Sequence, residues 1–196
     1  MAKGPKYRVA FRRRREGKTN FSRRLKLIKS RRNRLVIRCT LKHISVQVSE
    51  SQIKGDKTLV YAYSKQLIKE FGWLQSTSNL PAAYLTGYLA GLRAKKINIE
   101  DAILDVGILV HNERVKAAFL GFLEAGIEVP HDSEWFSEAL KERINGSHIQ
   151  NYAQTLQKED KDKYRKLFAA VLKNKGDPTK ITDDFNKTKQ SIEKKV

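Results

Sequence analysis

The first 38 residues carry most of the chain's positive charge, and this concentration constrains the fold more than any other feature of the sequence. They contain 16 Lys and Arg residues and one acid, Glu16, whereas the whole chain of 196 residues has a formal net charge of +19. Such a segment cannot pack on itself, because its like charges repel one another. We therefore interpret it as a binding element for a polyanion. A tail that serves solubility alone is the alternative, but solubility does not require this charge density at one end.

The remaining composition limits the class of protein. Hydrophobic residues make up 40% of the chain, so part of it must form a buried core, and wholesale disorder is excluded. The single cysteine, Cys39, excludes a disulfide framework and a cysteine-rich metal site. The chain has no run of 18 apolar residues, and residues 1–5 are not followed by the apolar segment of a secretory signal. We therefore expect a cytosolic protein with no membrane partner.

Composition divides the chain into three parts. Residues 1–33 have too few apolar residues for a core and form a basic arm, in which residues 21–32 are predicted to form one helix. Residues 34–130 are nearly neutral and form the core domain. Residues 131–196 form a helical extension, whose charged tail over residues 179–196 we expect to be ordered only against a partner.

Alternating apolar residues predict a β-hairpin at the start of the core domain, with its turn at Lys42-His43. The side chains predicted to share the core-facing side are Leu35, Ile37, Cys39, Leu41, Ile44, Val46 and Val48. Gly55-Asp56 predicts a second turn, which is followed by a third strand over residues 59–63. A further buried strand is predicted at residues 102–107.

Helical periodicity predicts three helices packed on this sheet. The first ends at Gly72, the second begins near Pro81, after a polar loop, and the third ends at Gly126. We expect the second helix to approach the sheet closely through a face of small residues, which are Ala83, Gly87, Ala90, Gly91 and Ala94. This order of elements indicates an α/β fold, a mixed β-sheet with packed helices, with a long basic N-terminal arm and a C-terminal helical extension.

Apolar stripes predict helices in the C-terminal extension as well. One helix is predicted to end at Gly146, and Ser147 with Gln150 forms a capping box for the next. The residues predicted to lie on the inner faces of these helices and of a further one are Trp135, Phe136, Ala139, Leu140, Ile144, Ile149, Tyr152, Ala153, Leu156, Tyr164, Leu167, Phe168, Val171 and Leu172.

Residues suited to catalysis or metal binding are scattered. Metal-ligand spacing is not found among the four histidines, which are His43, His111, His131 and His148. Residues 55–58 contain a Gly and a Lys-Thr pair but lack the spacing of a phosphate-binding loop. A nuclease with an acidic site at Asp105 stays an alternative, because Asp101 lies four residues away. We otherwise expect no enzyme activity, no cofactor and no small-molecule substrate.

The composition of the arm favours RNA as the polyanion. Residues 1–38 contain eleven Arg and five Lys, with Tyr7, Phe11 and Phe21 between them. Arg binds phosphate through two N–H groups and stacks on bases, and unstacked bases are available in folded RNA. The sequence shows no helix-turn-helix, zinc finger or heptad zipper, and the arm lacks the broad apolar face of a membrane-surface helix. A basic DNA-binding protein of the chromatin type is the alternative.

An ordered series of motifs over about residues 6–153 resembles one protein family. Its most specific string is Phe11-Arg-Arg-Arg-Arg-Glu-Gly-Lys-Thr19. The strings that follow are Arg34-Leu-Val-Ile-Arg38, Lys42-His43-Ile44, Gly55-Asp-Lys-Thr58, Thr77-Ser-Asn79, Pro81-Ala-Ala-Tyr-Leu-Thr-Gly87, Ala125-Gly126 and Tyr152-Ala153. The chain resembles the large-subunit ribosomal proteins that bind 5S ribosomal RNA, called L eighteen in archaea and bacteria and related to ribosomal protein L five of eukaryotes. The arm string, the Thr-Ser-Asn loop and the C-terminal extension look like the archaeal and eukaryotic branch.

The resemblance implies a structural protein that anchors 5S ribosomal RNA in the central protuberance of the large ribosomal subunit. It also implies contacts with large-subunit ribosomal RNA and with neighbouring large-subunit ribosomal proteins. The arm would make most of the RNA contacts, and the exposed face of the hairpin and the Thr-Ser-Asn loop would add others. The residues predicted to bind RNA are Lys6, Tyr7, Arg8, Phe11, Arg12, Arg13, Arg14, Arg15, Lys18, Thr19, Arg23, Arg24, Lys26, Arg31, Arg32, Arg34, Arg38, Lys42, His43, Thr77, Ser78 and Asn79.

Overall fold

The computed structural model describes residues 4–108 and 112–196 and has a mixed α/β fold. The strands found within these residues are β1 (Arg34–Cys39), β2 (Ile44–Gln52), β3 (Gly55–Tyr63) and β4 (Ile103–Asp105). They form one sheet in the order β3-β2-β1-β4, in which the first three strands are antiparallel neighbours and β4 runs parallel to β1. The predicted fold class is confirmed.

Both turns of the sheet differ from the prediction. In the first, the N–H and the hydroxyl of Thr40 donate to the carbonyl of His43 at 2.8 and 3.0 Å, which closes a four-residue turn after β1. Leu41 therefore lies at the tip of this turn and is 92% exposed, so its predicted inward orientation was wrong. The second turn lies at residues 53–54 and not at Gly55-Asp56, because Gly55 already pairs with Gln52 in the ladder.

Three helices pack against one face of the sheet, as predicted: α3 (Ser64–Phe71), α4 (Leu80–Lys96) and α5 (Glu113–Glu124). Helix α3 ends at Gly72, which has the left-handed φ of 74° that glycine adopts without strain. Helix α4 begins where the side chain of Asn79 accepts a 3.0 Å hydrogen bond from the N–H of Ala82. The strand residues buried beneath these helices are Leu35, Ile37, Ile44, Val46, Val48, Val60 and Ala62.

The face of small residues on α4 packs differently from the prediction. A Cβ atom at Gly87 would overlap the carbonyl oxygen of Ala118, and one at Gly91 would overlap the side chain of Ala125. The two glycines therefore bring α4 into backbone contact with α5, whereas the prediction placed this face on the sheet.

Among the residues that the structure describes, none of the helices combines the length and the hydrophobicity of a membrane span.

The C-terminal residues complete the core. The α-helices of this part are α6 (Glu138–Arg143), α7 (Ser147–Glu159), α8 (Lys161–Leu167), α9 (Ala169–Lys173) and α10 (Ile181–Lys195), with short 3₁₀ turns at Ser133–Trp135 and Pro178–Lys180. Helix α10 buries Ile181, Phe185 and Ile192 in the same hydrophobic cluster as the sheet. The expectation that residues 179–196 need a partner to become ordered was wrong, because the chain itself supplies the surface that α10 covers.

Three local predictions in this part were also wrong. The stripe before Gly146 is broken at Phe136, which is extended, so α6 starts only after the N-cap Ser137. The predicted capping box is replaced by Gly146, which is the N-cap of α7, while the hydroxyl of Ser147 donates to the carbonyl of Glu142 at 3.2 Å. The residues predicted to face inward that are exposed instead are Ala139, Tyr152, Leu167 and Leu172.

The arm folds into two short helices, α1 (Arg12–Arg15) and α2 (Phe21–Lys29). Asn20 caps α2 by accepting a 3.1 Å hydrogen bond from the N–H of Arg23. The helix ends before the predicted limit because Arg31 has a left-handed φ of 56°. None of residues 4–33 is buried, so the arm adds nothing to the hydrophobic core.

Candidate nucleic-acid interface

The arm presents its cationic side chains to solvent. The carbonyl of Phe11 accepts the N–H groups of Arg14 and Arg15 at 2.9 and 3.0 Å, and this turn fixes the four consecutive arginines on α1. Arg13 donates to the hydroxyl of Thr19 at 2.9 Å, and the ring of Phe11 meets that of Phe21 edge-on at 5.4 Å. The predicted contact residues on this arm surface are Lys6, Tyr7, Arg8, Phe11, Arg12, Arg13, Arg14, Arg15, Lys18, Thr19, Arg23, Arg24, Lys26, Arg31 and Arg32.

Helix α2 is held on the outer face of the sheet by its own arginines. Arg24 binds both carboxylate oxygens of Asp56 at 2.8 and 2.9 Å, and Arg23 donates to the carbonyl of Gly107 at 3.0 Å. A more exposed ion pair joins Arg32 to Asp101 at 3.3 Å. These bonds fix where the arm leaves the core, although no apolar side chain of α2 is buried.

A polar cleft separates α2 from the sheet and encloses about 310 Å³. We call it the arm cleft. Its lining residues include six cations and two acids, together with uncharged polar side chains of β2 and β3. The cations are Arg13, Lys18, Arg23, Arg24, Arg34 and Arg38, and the acids are Asp56 and Asp105. Since the cations outnumber the acids, the cleft has the charge that attracts phosphate groups.

Arg34 lies at the floor of this cleft and is only 2% exposed. Its guanidinium binds Asp105 at 2.8 Å, Ser51 at 3.2 Å and Asp56. A buried guanidinium whose N–H groups are used in this way is not available to RNA, so Arg34 is removed from the predicted contact residues. It is a structural residue that links β1 to β4 and, through Asp56, to the arm.

The two carboxylates of the cleft stay ionised in this environment. Burial would raise the pKa of Asp56, but hydrogen bonds from Arg24 and Arg34 outweigh it and lower the pKa. Burial likewise opposes ionisation of Asp105, yet hydrogen bonding and charge from Arg38, with the N–H of Gly107 at 3.0 Å, lower its pKa. Both acids therefore act as counterions for arginine.

This arrangement removes the support for a nuclease centred on Asp105. Its side-chain oxygens already accept hydrogen bonds from Arg34, Arg38 and Gly107. Within residues 4–108 and 112–196, no three His, Cys, Asp or Glu side chains are grouped to hold a metal ion. His111, considered with the other histidines above, lies outside the described residues.

Arg38 keeps a partly open position at the edge of the arm cleft. It binds the carboxylate of Asp105 at 2.9 Å and the carbonyls of Asp105 and Ile37 at 2.6 and 2.9 Å, and its side chain is still 43% exposed. Its guanidinium is thus oriented by the protein while one side remains accessible. This is the geometry expected of a residue that positions a phosphate at a fixed place.

The other predicted contact residues form a separate group at the far end of β1, about 17 Å from Arg34 along a strand of this length. Here the hydroxyl of Thr77 donates to the carbonyl of Lys42 at 2.7 Å and lies 3.2 Å from Nδ1 of His43. The hydroxyl of Ser78 lies 3.2 Å from that of Ser76, and the side chain of Asn79 caps α4. The fold therefore brings the hairpin turn into hydrogen-bond contact with the Thr-Ser-Asn loop, although the two segments are distant in the sequence.

His43 is neutral in this group at pH 7. Burial lowers its pKa from the usual value, and the positive charges of Lys65 and Lys42 lower it further. Its Nδ1 also lies 3.3 Å from the hydroxyl of Ser64, which in turn accepts a hydrogen bond from the N–H of Ile44 at 3.1 Å. The cationic character of this end of the sheet thus comes from the two lysines and not from the histidine.

Two tyrosines that the sequence analysis did not single out lie beside this group. Tyr61 and Tyr63 alternate along β3 with Val60 and Ala62, which are buried, so the rings stand on the opposite face of the sheet. Tyr61 is 44% exposed. The alternation in residues 59–63 predicts a strand, and the same alternation is the signal that places both rings on one face of the sheet.

Comparisons with known proteins identify the family of this chain. Residues 5–103 match a family described as "Ribosomal large subunit proteins 60S L5, and 50S L18". The chain is 43% identical over its full length to the large ribosomal subunit protein uL18 of Methanothermobacter thermautotrophicus, of which it covers 100%. It is 42% identical to the protein of the same name from Aeropyrum pernix, over 98% of this chain and 90% of the relative. The chain therefore belongs to this family of large-subunit ribosomal proteins, whose role is structural and not enzymatic.

Proposed function

We propose that this protein binds 5S ribosomal RNA and anchors it in the central protuberance of the large ribosomal subunit. The observation that carries this proposal is the exposure of the arm. It holds most of the chain's excess positive charge, yet none of residues 4–33 is buried in the protein. A polyanion outside the protein has to compensate this charge, and family membership makes ribosomal RNA that polyanion.

The arginines of the arm have two different roles in this proposal. Arg24 and Arg23 are committed to Asp56 and Gly107, so they set the direction of the arm. Arg14 and Arg15 have no acidic partner in the described part of the chain, and we assign them to phosphates of 5S RNA. We assign contacts with large-subunit ribosomal RNA to the arm as well.

Neighbouring ribosomal proteins are the remaining proposed partners. The outer surface of α7, α8 and α9 exposes Tyr152, Leu167 and Leu172 beside charged residues. We therefore assign contacts with other large-subunit proteins to this side of the molecule, and RNA to the arm side.

A salt titration with charge-matched variants tests the assignment of the arm. We expect Arg14→Gln combined with Arg15→Gln to weaken binding to 5S RNA and to reduce the slope of log K against log salt. The reduction should be about 0.7–0.9 for each phosphate contact that is lost. The control removes the same charge on α8, with Lys163→Gln and Lys166→Gln, and should leave the slope unchanged.

Competition separates this proposal from a chromatin-type DNA-binding function. With the full chain bound to 5S RNA, a large excess of transfer RNA or of duplex DNA should displace little protein. Displacement by duplex DNA at equal nucleotide concentration would contradict the proposal. An equal loss of slope in the arm and α8 variants would show that binding depends on net charge and not on the arm.

A further inference from the structure

Three aromatic rings follow one another on the outer face of the sheet. The rings of Tyr61 and Tyr63 are nearly parallel, with an angle of 15° between their planes and 6.2 Å between their centroids. The ring of His43 continues the row, 4.9 Å from that of Tyr63. Buried neighbours on the strand, Val60 and Ala62, fix the backbone from which the tyrosines project. We call this row the ring platform.

The ring platform borders the arm cleft. Gln47 on β2 pairs with Tyr61 across the ladder and also lines the cleft. Two residues further along β2, on the same face of the sheet, Ser45 pairs with Tyr63 on β3 and with Arg38 on β1. Neighbouring strands are about 4.8 Å apart, so the tyrosines lie roughly 10 Å from the guanidinium-bearing strand. A nucleic-acid strand with its backbone along the cleft would carry its bases toward these rings.

Charge around the rings also favours a nucleic acid. Lys42 and Lys65 are close enough to His43 for their positive charge to lower its pKa, and both lysines are exposed. An added β-strand from a peptide is less compatible with this place, because the carbonyl of Tyr61 already accepts a 2.7 Å hydrogen bond from Arg93. Tyr61 is exposed, Tyr63 and His43 are half-buried, and cations flank the row. Accessible rings beside cations are the arrangement that binds single-stranded nucleic acid by stacking.

We propose that Tyr61 and Tyr63, continued by His43, stack on unpaired bases of an RNA strand whose phosphates lie along the arm cleft. This inference rests on the proposed function, because it assigns a base-contacting surface to the same RNA. The arm then supplies affinity through phosphates, while the ring platform requires that bases be unpaired. Duplex RNA has its bases stacked inside the helix and cannot use the platform.

Substitutions of the full-length protein test the platform. Tyr61→Thr keeps a residue that favours strands but removes the ring, and Tyr63→Thr makes the same change two residues further along β3. We expect each to weaken binding to 5S RNA by at least about fivefold, which is the low end for one stacked base. The slope of log K against log salt should not change, because no charge is removed. Circular dichroism and urea unfolding establish that each variant is folded.

Two controls make the result specific. Tyr61→Phe and Tyr63→Phe keep the rings and should bind within about twofold of the unmodified protein. Tyr152→Ala removes a ring that is similarly exposed, at 48%, on the surface of α7 that we assign to protein partners, and should leave the affinity for 5S RNA unchanged. Folded Thr variants that bind as tightly as the unmodified protein would overturn the proposal. Phe variants that bind as weakly as the Thr variants would also overturn it, because the hydroxyl and not the ring would then be the contact.

The same set of proteins separates failure of the platform from failure of the proposed function. Each protein is also titrated with a single-stranded adenine octanucleotide and with a duplex RNA of equal length. If the unmodified protein does not bind 5S RNA but binds the octanucleotide through Tyr61, the ring platform is supported and the assignment to 5S RNA is wrong. If the protein binds neither RNA, both assignments are wrong. A loss that is as large for duplex as for single strand would refute stacking on unpaired bases.

Discussion

Replacing Asp105 by asparagine tests whether this residue is a buried counterion for arginine. The substitution keeps the size of the side chain but removes the charge that faces Arg34 at 2.8 Å and Arg38 at 2.9 Å. Breaking a buried ion pair by neutralising one partner costs about 3–5 kcal/mol. Arg34 retains Asp56 and Ser51, and the new amide oxygen still accepts one hydrogen bond, so we expect the lower end, about 3 kcal/mol.

Urea unfolding measures this loss. With a denaturant dependence of about 2 kcal/mol per molar, a loss of about 3 kcal/mol lowers the urea midpoint by about 1.5 M. Asp101→Asn is the matched control, because Asp101 pairs with Arg32 at the surface, where the two side chains are 50% and 48% exposed. An exposed pair contributes about 0.5 kcal/mol, so the control should shift the midpoint by only about 0.25 M.

The pH dependence provides a second check on Asp105. Its pKa is lowered in the folded protein, so its contribution to stability is fully present above the unfolded value of about 3.9 and is lost as the pH falls through the folded pKa. The difference between Asp105→Asn and the unmodified protein should therefore be constant from pH 7 to pH 5 and shrink below pH 4. Equal midpoint shifts for the two Asn variants, or a difference that does not shrink at all between pH 5 and pH 2, would refute the counterion role.

Two further predictions concern packing. Gly87→Ala should destabilise the fold by about 3 kcal/mol, because the new methyl group overlaps the backbone of Ala118 and forces α4 away from α5. Thermal unfolding measures this loss of stability. A variant as stable as the unmodified protein would show that the two helices can separate at no cost in stability. Phe185→Ala should cost about 3–5 kcal/mol by leaving a cavity beneath α10. Urea unfolding measures that loss, and an unchanged midpoint would mean that α10 does not contribute to the core.

Local patterns predicted the sheet and its helices because burial on one face imposes a period on the sequence. The alternation in β1 and the glycine after α3 are signals of this kind, and both were interpreted correctly. The same period misplaced Leu41, because it does not show where a strand ends. A hydroxyl of Thr40 closes the turn two residues early, and its hydrogen bonds to His43 depend on backbone geometry that apolar patterning does not encode.

Interactions between distant segments explain the other differences. Arg34 falls on the polar side of β1 and was predicted to contact RNA, but α2 and Asp56 cover it from another part of the chain. In the C-terminal tail, Ile181, Phe185 and Ile192 have helical spacing, yet the surrounding charge outweighed that signal. The arm was easier to interpret, because a dense block of like charge has few ways to be compensated inside a protein.

During synthesis, the side chain of Gln75 cannot form its hydrogen bonds until Asp177 and the helix α10 have been made. Its amide donates to the carbonyl of Asp177 at 2.8 Å and to the carboxylate of Asp184 at 2.7 Å, the second of which is 109 residues later in the chain. At translation rates of about 5–20 residues per second, this interval lasts roughly 5–20 s. The cationic arm leaves the exit tunnel during this interval, so it is accessible while the core still lacks the helix that covers it.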